Sequence, residues 1–79
     1  MEIKGGNVLI VECQGAHRCG GNIRVPFSPP IGGAPEPAPT RSGLVWKRES
    51  GESVETITLS PSIDAGECGH FCVKNGAIV

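Results

Sequence analysis

Two short stretches carry every residue suited to metal or thiol chemistry. One is Cys68-Gly69-His70-Phe71-Cys72, near the C-terminal end; the other is Cys13-Gln14-Gly15-Ala16-His17-Arg18-Cys19-Gly20. All four cysteines and both histidines fall within them. Zinc takes four tetrahedral ligands and favours thiolate sulfur and imidazole nitrogen. Cys13, Cys19, Cys68 and His70 are therefore the expected ligand set, with Cys72 and His17 as reserves. Such a site would tie the two ends of the chain together, where closing a long loop constrains the unfolded chain most. Metal-binding energy would then be folding energy. Other readings stay open: one or two disulfides, Cys72 as a small buried hydrophobe, and His17 as a solvated loop residue.

The composition explains why a clip is needed. A chain of 79 residues fits one domain. Apolar residues are 38% of it, with one Trp, two Phe and no Tyr. The usual apolar share is about 45–50%, counting Gly. Small chains with so little core rely on a disulfide, a metal or a partner subunit. The N-terminal apolar run Val8-Leu9-Ile10-Val11 is too short for a secretory signal, and Glu12 ends it. No segment approaches the roughly 20 apolar residues that span a bilayer. The expected compartment is the cytoplasm, where stable disulfides are uncommon, and this tilts the reading toward one zinc per chain.

The net charge is −1 and the charges are scattered. No basic stripe is present to follow a phosphate backbone, so nucleic acid is not the expected partner. No Ser-His-Asp spacing, phosphate loop or dinucleotide fingerprint occurs. Thiolate-rich zinc sites are mostly structural, and so short a chain has little material for a substrate pocket.

The elements that would position the clusters are strands. Val8–Cys13 is a β-branched run; Asn22–Phe27 alternates, with Ile23, Val25 and Phe27 on one face. Gly43–Arg48 and Ser53–Leu59 are expected as the third and fourth strands, separated by a turn at Glu49–Glu52. The parity slip between Val54 and Ile57 suggests an irregularity or a late start near Glu55. Pro61 is expected to close the fourth strand, and 62–69 to form a turn region. Phe71–Lys74 and Ala77–Val79 flank Asn75-Gly76, the strongest short hairpin signal. If residues 70–74 are extended, His70 and Cys72 share one face while Phe71 and Val73 face the core. Trp46 is the expected core anchor. Ser28–Ser42, with five of the seven prolines, has linker composition and is expected to be a mobile or functional loop. The fold class is mainly β: a small antiparallel, barrel-like domain clipped by one zinc.

The run Glu55-Thr56-Ile57-Thr58-Leu59-Ser60-Pro61-Ser62-Ile63, then Cys68-Gly69-His70-Phe71 and Val73-Lys74-Asn75-Gly76-Ala77-Ile78, resembles a group of small phage and bacterial proteins of unknown function. The Cys13–Cys19 knuckle followed by Ile23–Phe27, and Trp46 ahead of the fourth strand, are similar to that group as well. The resemblance implies a metal-binding, mostly β module of phage or mobile-element source, with relatives near bacterial ubiquitin-like conjugation genes. Two departures stand out. The first knuckle is longer than the group's Cys-x₂-Cys form, and Cys72 replaces an aromatic residue. The expected role is a protein-binding or adaptor module that presents the Pro-rich loop. The alternatives are a virion accessory protein, a redox or metal-dependent enzyme using the Cys/His cluster, and a nucleic-acid-binding zinc knuckle.

Overall fold

A computed structural model describes residues 1–13 and 21–79, with Glu67 described in its backbone alone. Its strands are β1 (Glu2–Lys4), β2 (Val8–Glu12), β3 (Asn22–Ser28), β4 (Trp46–Ser50), β5 (Thr58–Asp64), β6 (His70–Lys74) and β7 (Ala77–Ile78). They form one curled sheet in sequence order. The expected β architecture is therefore observed. The described residues hold no α-helix, only a 3₁₀ turn at Gly66–Cys68.

Every neighbouring pair is antiparallel except β3 and β4. These two run parallel and pair only at Phe27↔Trp46 and Ser28↔Lys47. Parallel neighbours cannot be joined by a hairpin, so the chain must travel back along the sheet before re-entering it. Residues 29–45 make that return without a helix. The Pro-rich segment is thus the crossover of the fold as well as a loop.

Alternation picks out the residues that face the core, and parts of β2 and β3 are covered on both faces. Leu9 opposes Val25 and Val11 opposes Ile23 across β2 and β3. Leu9, Val11 and Val25 make the core with Phe27, Trp46, Ile57, Leu59, Ile63, Phe71 and Val73, and half-buried Ile23 packs against it. Pro26 is fully buried inside β3. The Phe27 amide donates to Asn7 O at 3.0 Å, so the ring nitrogen of Pro26 faces the other side. Pairing with β4 starts one residue later, so no ladder bond is lost there.

The middle of the chain departs from expectation in three places. The third strand starts at Trp46 and continues to Ser50, later than Gly43–Arg48. The fourth starts at Thr58, because residues 53–57 close a turn instead. Ser53 O accepts from the Thr56 and Ile57 amides, and the Ser53 and Thr56 hydroxyls meet at 3.0 Å. Such local hydroxyl bonds compete with a strand ladder. The third departure is Pro61, which does not close the strand. β5 runs through it to Asp64, with a register shift between Leu59↔Val73 and Ile63↔Phe71. Pro61 lies in the resulting bulge, where no ladder N–H is required.

The Asn75-Gly76 hairpin forms as expected, with φ of 47° and 75°. Gly76 is required on a second ground. A Cβ there would strike the backbone of Val54 and Glu55, and its amide donates to Ile57 O at 2.9 Å. The hairpin tip is thereby pressed onto the β4–β5 connection.

Candidate functional site

One cysteine from each chemical cluster meets the other. Cys13, just beyond β2, and Cys68, at the end of the 3₁₀ turn, have Cα atoms 4.7 Å apart and form a disulfide across a sequence separation of 55. Local structure explains the placement. The Cys13 amide donates to Gly21 O at 3.1 Å, which closes the end of the β2–β3 ladder. The Cys68 amide donates to Ala65 O at 3.1 Å and Gly69 to Gly66 O at 3.0 Å, which turns Cys68 toward the sheet end.

The expected zinc set is not assembled among the described residues. Cys13 and Cys68 are bonded to each other, and sulfurs joined in a disulfide are not thiolate ligands. His70 is exposed, and its Nε2 lies 2.8 Å from Ser62 Oγ. Cys72 is a half-buried free thiol on β6. No three His, Cys, Asp or Glu side chains gather among the described residues. Cys19 and His17 lie outside those residues. The facing of β6 is as expected: Phe71 and Val73 are buried, while His70 and Cys72 belong to the other face.

The Ser62–His70 bond was not anticipated from spacing, because the β5 bulge and the β5–β6 register create it. Hydroxyl and imidazole at this distance are two members of a nucleophile arrangement. The third is engaged elsewhere: Asp64 pairs with His70 in register, but its Oδ1 accepts from the Gly66 amide at 3.0 Å. The pair is also exposed, so water screens any charge that would develop there.

A second feature is built rather than loose: the first half of the crossover is bonded to the sheet. The Ile31 amide donates to Gly6 O at 2.7 Å, and a Cβ on Gly6 would collide with Ile31 O. Asn7 Nδ2 donates to Pro35 O at 3.0 Å, and Ser28 Oγ to the Glu36 carboxylate at 2.8 Å. Arg48, on β4, reaches three carbonyls with its planar fork: Nε to Pro29 O at 2.8 Å, one terminal nitrogen to Gly51 O at 2.8 Å, the other to Pro30 O at 3.3 Å. The far half turns back on itself, with Thr40 N–H to Leu44 O at 3.0 Å and Leu44 N–H to Thr40 Oγ1 at 3.1 Å. It leaves Leu44 and Val45 51% and 40% exposed.

Arg48→Lys is expected to release the crossover while keeping the charge, since an ammonium cannot span three fixed acceptors. The loss is about 1.5–3 kcal/mol, the range for hydrogen bonds to a charged donor. The measurement is the urea midpoint together with amide exchange at Ile31. An unchanged midpoint and unchanged Ile31 protection would show that the fork does not hold the segment.

Comparison with protein-family models, with curated proteins and with solved structures finds no match to this chain. None of the described helical segments is long and apolar enough to cross a membrane.

Proposed function

We propose that the chain is a protein-binding module whose contact surface is the 29–45 crossover. One observation carries the reading. The segment is tied at its near half by Gly6, Asn7, Ser28 and Arg48, yet Pro35, Glu36, Ala38, Pro39 and all of residues 41–45 are exposed. A stretch held at its base and open along its outer side costs little ordering entropy when a partner covers it. The Cys13–Cys68 link and the Asn75-Gly76 hairpin hold the scaffold on which it is displayed.

The test is site-specific photocrosslinking in cells that express the protein. Ala38→p-benzoylphenylalanine is expected to give a discrete adduct, and the same substitution at exposed Lys74 none. Adducts of equal yield from both positions, or none from Ala38, would overturn the reading.

A second reading is favoured by the meeting of Cys13 and Cys68. In it both are thiolates on a structural zinc with Cys19 and His70. His70 would bind through Nδ1 while Nε2 stays on Ser62 Oγ, and the scaffold role is the same.

A further inference from the structure

We infer that residues 34–40 form a ready-made polyproline II ridge that docks into an aromatic-lined groove of a partner protein. This rests on the reading of the crossover as the contact surface and names the chemistry of what binds there.

Three independent observations agree. The first is covalent geometry. Pro35, Pro37 and Pro39 have φ held near −65° by their rings. The residues before them, Ala34, Glu36 and Ala38, are pushed out of the helical region by the following ring. The backbone from 34 to 39 is therefore biased toward extended or polyproline II conformation, with φ fixed at each proline and the helical region disfavoured at each residue that precedes one.

The second is burial. Ala34, Pro37 and Thr40 are half-buried, while Pro35, Glu36, Ala38 and Pro39 are exposed. A strand would alternate every second residue. A repeat of three is the signature of polyproline II, which has three residues per turn. One row of the ridge rests on the protein. The other two, Pro35 with Ala38 and Glu36 with Pro39, face outward.

The third is anchoring. Pro35 O is held by Asn7, the Glu36 carboxylate by Ser28, and the Thr40 amide by Leu44 O. Polyproline II has no internal hydrogen bonds, so the ridge keeps its shape through its rings and these outside bonds. Recognition domains for such segments use shallow grooves of Trp and Tyr that grip outward prolines. The ridge also has an orientation. Exposed Arg41 lies two residues beyond Pro39, past half-buried Thr40, and Glu36 lies in the first half of the ridge. A partner groove with an acidic flank at the Arg41 end fits this polarity.

The probes are purified WW, SH3 and EVH1 domains, titrated to millimolar concentration into the ¹⁵N-labelled full chain. Saturable shifts are expected at the Glu36, Ala38, Thr40 and Arg41 amides with at least one domain. The double variant Pro35→Gly/Pro39→Gly is expected to weaken that binding about tenfold or more, a loss of about 1.4 kcal/mol or more. Unchanged Phe71 and Val73 amide positions would show that the variant is folded. No shift with any of the domains, or equal affinity of the variant, overturns the inference. The crosslinking arm separates the two claims. An Ala38-position adduct that persists undiminished in the Pro35→Gly/Pro39→Gly background removes the polyproline reading and leaves the contact surface. Loss of the adduct in the unaltered background removes the contact surface itself.

Discussion

Opening the Cys13–Cys68 link is expected to remove a large part of the stability of this protein. A cross-link across a sequence separation of 55 lowers the entropy of the unfolded chain by an amount worth about 4 kcal/mol. Natural domains are stable by roughly 0.05–0.15 kcal/mol per residue, or about 4–12 kcal/mol for a chain of this length. The core cannot compensate, because Trp46, Phe27 and Phe71 are its only aromatic residues. The measurement is a urea titration of the protein with and without a phosphine reductant, beside the Cys13→Ser/Cys68→Ser variant. Reductant and variant are expected to lower the midpoint alike, and a chelator to leave it unchanged. A midpoint that ignores reductant but falls with chelator would replace the disulfide by a metal clip between the same two ends.

Phe27→Ala is the other large effect. Phe27 is fully buried at the point where the antiparallel and parallel parts of the sheet join. Its backbone bonds to Asn7 on one side and pairs with Trp46 on the other. Truncating a buried Phe costs about 3–5 kcal/mol through lost transfer energy and the cavity left behind. Here the cavity opens beside a junction of only two residue pairs, so the crossover should loosen with it. The expected outcome is a chain largely unfolded at 25 °C, while Phe27→Leu, which fills most of the volume, stays folded. Circular dichroism and one-dimensional NMR decide it. An Ala variant with wild-type dispersion and midpoint would show that this junction is not where the fold is held.

The contrast between the two ends of the chain shows which inferences a sequence supports. The 70–79 region was legible because its signals are local. Alternation sets Phe71 and Val73 against His70 and Cys72, and Asn75-Gly76 supplies the two positive φ values of a tight turn. The stretch from 43 to 64 was read less well. There the strand limits depend on hydroxyl bonds between Ser53 and Thr56 and on a bulge that absorbs Pro61. Neither has a periodic signature. β1 was missed outright, since Glu2-Ile3-Lys4 is too short and too polar to stand out from its neighbours. Cys13 and Cys68, from opposite ends of the chain, do come together, while the rest of the first cluster lies outside the described residues. What joins them was not legible, because thiols at such spacings serve a metal or a disulfide equally well.

By itself, the amino-acid sequence determined that the chain is β-rich, that its large side chains are few, and that its thiols sit in two clusters near opposite ends. These follow from composition and short-range periodicity, which act on each residue wherever it sits in the fold. Only the tertiary structure decided that β3 and β4 run parallel, that Arg48 grips Pro29 and Pro30, that Ser62 meets His70, and that the prolines from 35 to 39 lie with one row inward. Each of those depends on register and on the path of the crossover. Both are fixed by contacts between residues far apart in the chain, which no local pattern encodes.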